Sequence, residues 1–291
     1  MPERAPRREW EYQQLEAFAG SKLPGAMVGL VYGRRRQGKS LMLHLLHQQM
    51  GGFMFAATQQ SERQNLTDLG EAYARFLGLR HAIAFRSWSD ALDALLNLGD
   101  EQPTSVIIDE FSHLVRTSPA LPSFLQSALN PAKRHTRTRL ILSGSDLPTM
   151  SRLLAANAPL YGRASLDLIV RPFGFRDAAE FWDIREPELA FRVNALVGGT
   201  PAYLAMCGGS APATMEAFDT WGGAPDPEPG KRHVPRRRAT PERGAIDHQA
   251  HALCRSHSGP ERGMPSAVGD RLRAGTAEHP YPVAAHRNRP H

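Results

Sequence analysis

At 291 residues, 41% of them apolar, the chain has room for one large domain or two modest ones with a sizeable core. Its net charge of +6 is unevenly placed, because residues 224–291 hold twelve Lys and Arg against seven Asp and Glu, which leaves the first 223 residues almost neutral and without a general electrostatic case for nucleic acid. The charged opening "MPERAPRREW" is unlike a secretory signal and no run reaches the roughly 20 apolar residues that span a bilayer, while the two cysteines (Cys207 and Cys254) make no disulfide framework; a cytoplasmic protein without a membrane partner is expected.

Residues 1–25 are expected to form a helical lead, with "REWEYQQLEAFAG" as its helix. "AMVGLVY" (Ala26 to Tyr32) is a short apolar run ending at Gly33, as in a buried parallel strand. Behind the glycine-bounded loop, Met42, Leu45, Leu46 and Gln49 follow helical spacing. "FMFAAT" (Phe53 to Thr58) is a second strand, and residues 66–79 and 87–99 alternate apolar and polar positions at helical period. "SVIIDE" (Ser105 to Glu110), "RLILSGSD" (Arg139 to Asp146) and "LDLIVRPF" (Leu166 to Phe173) add three more strands. Strands separated by helical segments predict an α/β core over residues 26–175, a parallel sheet covered on both faces. Residues 176–222 form a small helical appendage. After Trp221 the texture changes: residues 223–291 carry ten of the prolines and seven of the twelve histidines without hydrophobic periodicity, and disorder is expected there.

Gly33-x-x-x-x-Gly38-Lys39-Ser40 is a complete phosphate-loop pattern set between a strand and a helix. Such glycines let successive backbone N–H groups turn inward around phosphates, and the helix behind points its positive end at the same anion. The cradle comprises Gly33, Arg34, Arg35, Arg36, Gln37, Gly38, Lys39, Ser40 and Leu41. Lys39 reaches the phosphate oxygens, and the Ser40 hydroxyl together with Asp109 holds Mg²⁺. Glu110, next to Asp109 at the end of "VIIDE", is placed to orient or deprotonate an attacking water. Either Ser143 or Ser145, at the end of "LILSGS", contacts the γ-phosphate or that water, or is a hydrogen-bonded strand-end serine.

"VYGRRRQGKS", "VIIDEF", "LILSGS", "PLYGR" and "GGTPAYL" occur in the order found in the archaeal-type ATPase family, a branch of the AAA+/STAND group of P-loop NTPases, and the chain resembles that family over residues 26–205. The resemblance implies a P-loop sheet of strand order 5-1-4-3-2, a helical lid and ATP as the nucleotide. It makes Gly33 to Ser40 the Walker A loop, Asp109 and Glu110 the Walker B acids, and Ser143 or Ser145 the sensor. Arg163 falls where such ATPases place an arginine that senses the γ-phosphate, in a homo-oligomer from a neighbouring subunit; its alternative is a surface salt bridge. Pro201, in Gly199-Thr200-Pro201, resembles the glycine-any-proline element that packs near the base, against a plain turn. Members of the family continue into a winged helix and further domains that engage DNA or protein. Nothing of that kind is recognisable after Trp221, where the sequence looks like a shifted reading frame of a GC-rich gene.

Three other features carry less. His44 and His47 lie in one helix without a carboxylate nearby, "HTRTR" (His135 to Arg139) reads as a solvated basic turn, and "KRHVPRRR" (Lys231 to Arg238) would attract any polyanion but has no aromatic side chains for base stacking. The functional expectation is a Mg-dependent ATPase, against a slow-turnover nucleotide switch or a DNA-associated binding module.

Overall fold

The computed structural model describes residues 8–130 and 136–223. Five strands, β1 (Met27–Tyr32), β2 (Phe53–Ala56), β3 (Thr104–Asp109), β4 (Thr138–Gly144) and β5 (Ala164–Ile169), form one sheet in the order β2-β3-β4-β1-β5. Every pairing is parallel, and read from the other edge the order is the expected 5-1-4-3-2. Parallel strands need crossovers, and helices supply them: α1 (Glu9–Ala19) leads in, α2 (Lys39–Met50) joins β1 to β2, and α3 (Glu62–Phe76) and α4 (Trp88–Asn97) join β2 to β3. The connections onward use α5 (Phe111–Thr117), α6 (Leu121–Ala128) and α7 (Leu147–Arg152). Sequence reading missed these last three, which are six to eight residues long and too short to show a helical period.

Alternation along the strands sorts the core into two layers. Val28, Leu30, Val106, Ile108, Leu140 and Leu142 face the layer that packs with Trp88, Leu92 and Leu125. Val31, Ile107 and Ile141 face the other, with Leu15, Phe18, Met42 and Leu46 of α1 and α2. Serine hydroxyls fix two helix starts, Ser61 accepting from the Gln64 N–H at 3.3 Å and Ser87 from the Asp90 N–H at 3.2 Å.

The third core cluster belongs to α8 (Phe175–Phe181), α9 (Pro187–Val197), α10 (Ala202–Met206) and α11 (Met215–Gly223), where Trp182, Leu189, Val193 and Val197 are buried around Phe173. The strand limits differ from expectation by one to four residues, most at β5. β5 begins at Ala164 and ends at Ile169, because the chain leaves the sheet after the Val170 N–H bonds the Tyr32 carbonyl at 2.7 Å, and residues 170–173 run on to the helical segment. Arg139, expected both to close a solvated basic turn and to open a strand, is fully buried on the interior strand β4, and its guanidinium donates to the carbonyls of Ser21, Leu23 and Gly25. Backbone carbonyls of the turn before β1 have no ladder to join, so a buried arginine satisfies them.

Among the described residues no helix is long and apolar enough to cross a membrane, and no cluster of three His, Cys, Asp or Glu could hold a metal ion, His44 and His47 included. The expected disorder of residues 223–291 falls, apart from Gly223, outside the described residues, as do the reading-frame expectation, Cys254, Lys231 to Arg238 and the turn up to His135.

Candidate nucleotide-binding site

The carboxyl ends of parallel strands collect their loops on one side of a sheet, and there β1, β3 and β4 deliver the polar residues. The loop between β1 and α2 is shaped by its two glycines for different reasons. A Cβ on Gly33 would sit 2.1 Å from the Val170 carbonyl oxygen, so only glycine lets the strand end pass that close. Gly38 has φ +91° and nothing near it, so there the need is conformational. Arg36 also holds a positive φ, 68°, which costs an L-residue energy and marks the loop as strained.

Lys39 opens α2, is buried, and folds its Nζ back onto the loop, donating to the carbonyls of Gly33 at 2.8 Å and Arg34 at 2.9 Å. Burial lowers its pKa below the usual lysine value, against the opposing pull of Glu110 and Asp109 and with a small push from Arg35. Ser40 and Leu41 follow in the first turn, both exposed.

Strand alternation places the acids. Ile107 faces the α2 layer, so Asp109, two residues on, faces it too, buried at the strand end, with its Oδ1 accepting the Glu110 N–H at 2.9 Å. The register Ile107↔Ile141 continues to set Ser143 beside Asp109 on the same face. Ser143 is fully buried and its hydroxyl has no partner. Ser145, past the end of β4, does something different: its N–H and hydroxyl both donate to Glu110 Oε2, at 3.2 and 2.9 Å. The two serines that sequence left as alternatives therefore occupy distinct places, Ser143 beside Asp109 and Ser145 on Glu110.

A cavity of about 420 Å³ opens between this loop and the helical segment. On the sheet side it is lined by Arg35, Arg36, Gln37, Gly38, Lys39, Ser40, Leu41 and Glu110, and on the other by Arg8, Phe173, Phe181, Pro201 and Ala202. Pro201, from the glycine-any-proline stretch, is among the lining residues. Gln37 ties the two sides together, its Nε2 donating to the Thr200 hydroxyl at 3.1 Å. Arg34, Arg35 and Arg36 are all exposed, and Arg36 reaches the Met206 sulfur.

Sequence reading missed Arg8, Phe173 and Phe181. Arg8 is buried, lies 4.3 Å above the Phe173 ring, and donates to Glu11 Oε1 and the Arg171 carbonyl, each at 2.6 Å. Phe173 and Phe181 stand 5.1 Å apart in a tilted pair at the apolar end of the cavity. Arg8 and Glu9, the start of the lead helix, were a local signal; the partners 163 residues away were not.

Arg163 is not brought to the cavity. It is exposed and precedes Ala164, which pairs with Val28 at the amino end of β1. The loop begins five residues further along β1, ~17 Å away at the strand rise and beyond an arginine's reach.

No protein-family model matches the chain. An uncharacterised protein of Methanocaldococcus jannaschii is 28% identical over 176 residues, which make up 60% of this chain and 38% of that protein. The chain therefore spans well under half the length of this curated relative. Among solved structures, the Walker-type ATPase of Pyrococcus abyssi superposes with a TM-score of 0.53 at 20% identity, covering 70% of this chain and 66% of that one. The ORC2 protein of Aeropyrum pernix, solved as ADPNP-ADP complexes, superposes with a TM-score of 0.51 at 16% identity, covering 74% of this chain and 67% of its own. At these identities the likeness is one of architecture, and it agrees with the strand order and the loop geometry: the chain has the α/β fold of the P-loop ATPases.

Proposed function

We propose that this chain binds ATP across the cavity and hydrolyses it to ADP and phosphate, as an AAA+/STAND-like ATPase. The observation that carries the reading is the buried Lys39 at the head of α2, faced across one cavity by Glu110 and backed by Asp109. The loop N–H groups and Lys39 hold the phosphates, while the Phe173, Phe181 and Pro201 end takes the base, a flat apolar group suited to aromatic neighbours. The Ser40 hydroxyl and the Asp109 carboxylate, hard oxygen donors beside the unpartnered Ser143 hydroxyl, fit Mg²⁺, which when bound supplies charge neutralisation at the phosphates. Glu110 acts on the attacking water as orienter and base.

Single-turnover hydrolysis of Mg-ATP by the full chain and by Glu110→Gln tests this. Turnover in the variant should fall by ~10²–10⁴ while ATP affinity is kept. Equal rates would leave the second reading, a slow nucleotide switch. For Arg163, the separation from its own loop makes a role at the γ-phosphate an intersubunit one. In a homo-oligomer, mixing Lys39→Ala with Arg163→Ala subunits should then restore part of the activity that each lacks alone. DNA or protein partners belong to the same proposal and are tested by the nucleotide dependence of DNA retention.

A further inference from the structure

We infer that His113 is a positioning residue for Glu110, the inner member of a brace that α5 and the Ser145–Asp146 turn build around one carboxylate oxygen. The inference rests on the proposed hydrolytic role of Glu110.

Glu110 caps α5 in a left-handed conformation, φ 53° and ψ 38°, which an L-residue adopts only when its surroundings hold it. The His113 N–H donates to the Glu110 carbonyl at 2.9 Å, and this turn brings the His113 ring back over the Glu110 side chain. His113 Nε2 then lies 4.0 Å from Glu110 Oε2, with the imidazole side chain 12% exposed. That same oxygen accepts both Ser145 hydrogen bonds from the opposite side. One turn further along α5, Arg116 Nη2 donates to Asp146 Oδ2 at 3.0 Å, which pins the residue next to Ser145. Asp146 is fixed in turn as the α7 cap, accepting the Thr149 N–H at 3.2 Å.

Oε2 is therefore enclosed by Ser145 and His113, whereas Oε1 makes no hydrogen bond among the described residues and Glu110 lines the cavity. A carboxylate held by one oxygen presents the other in a fixed direction, which is what a base acting on a positioned water requires. His113 Nδ1 is buried without a partner, so the ring is not spent on another hydrogen bond. Arg35 Nε lies 3.4 Å from the Ser145 hydroxyl, Lys39 is near enough to feel the Glu110 charge, and Arg116 holds the adjoining Asp146.

The test uses the full chain with Mg-ATP and the variants His113→Leu and His113→Gln. His113→Leu should slow single-turnover hydrolysis by on the order of tenfold to a hundredfold while ATP affinity stays within about twofold, and His113→Gln, which keeps a donor, should recover most of the rate. Hydrolysis by His113→Leu at the wild-type rate, or a rate loss matched by lost affinity, overturns the inference and leaves the ATPase reading standing. Wild-type protein that binds ATP without hydrolysing it would instead sink the ATPase reading. The brace is then judged by the ring ¹H–¹⁵N signals of His113, identified by their loss in His113→Gln: they should move in Glu110→Gln, and unmoved signals refute it.

Discussion

Replacing Lys39 by alanine probes the loop where its geometry is most explicit. An ammonium group has three donors, and in the free protein two of them are committed to the carbonyls of Gly33 and Arg34. These bonds need not break when a phosphate arrives, because the third N–H remains for an anionic oxygen. The loss in Lys39→Ala is thus one charge-assisted contact, ~1.5–3 kcal/mol, or a weakening of ATP binding by about 10- to 150-fold. Titration calorimetry on the full chain measures it directly. Burial sharpens the assay, since it holds the free lysine's pKa below its ordinary value of 10.5. A phosphate beside Lys39 favours the charged form, so ATP binding should take up a proton as pH rises toward that lowered pKa, and wild-type affinity should fall there. Lys39→Ala has no such proton and its affinity should not follow pH in this way. An unchanged dissociation constant in Lys39→Ala would refute the assignment of the loop.

Three further changes test the frame around the site. Gly33→Ala forces a Cβ to within 2.1 Å of the Val170 carbonyl and should destabilise the protein by ~1–3 kcal/mol in urea unfolding, whereas a merely flexible glycine would lose far less. Arg139→Met strands the carbonyls of Ser21, Leu23 and Gly25, and a loss of at least ~2 kcal/mol is expected in the same measurement. Tyr32 has its pKa raised to about 12 by burial, with a hydrogen bond to and the charge of Asp167 adding to it. Because the folded pKa lies above the ordinary value of 10.0, the stability it confers is complete below pH 10 and is lost as pH rises toward about 12. Asp167→Asn should narrow that window in thermal melts followed against pH, and an unchanged profile would exclude the pairing.

What sequence disclosed and what it hid divide along one physical line. The loop from Gly33 to Ser40, the acids Asp109 and Glu110, and the strand between them depend on local requirements: backbone torsion, strand alternation, and a helix start. Those were legible, and so was the sheet order once the resemblance was drawn. Ser143 and Ser145 could not be separated by motif, although counting in twos from Ile141 puts Ser143 on the α2 face and leaves Ser145 beyond the ladder. Arg139 was rightly set at the start of a strand, but its burial was missed because the basic run HTRTR looks solvated, and the carbonyls of Ser21, Leu23 and Gly25 explain that burial. The apolar end of the cavity was only partly visible: Pro201 was reached through the resemblance, whereas Arg8 and Phe173 join it only after the first and last parts of the described chain come together.

The three loop arginines, which an eight-residue motif presents as equivalent, differ in the folded protein. Arg34 contributes its backbone carbonyl to Lys39, and its side chain is exposed and outside the cavity lining. Arg36 takes the strained left-handed conformation and leans on Met206 of the helical segment, so substituting it by glycine relieves torsion while removing a contact to α10. Arg35 lines the cavity, touches the Ser145 hydroxyl that holds Glu110, and adds a small push to the burial that lowers the Lys39 pKa. A cation in that position is repelled by Lys39 in the free protein and attracted by a triphosphate in the complex, so its weak 3.4 Å contact to Ser145 competes with the nucleotide. Under the proposed ATP binding, Arg35 is thus the one of the three whose contact, given up for phosphate, bears on the Glu110 carboxylate.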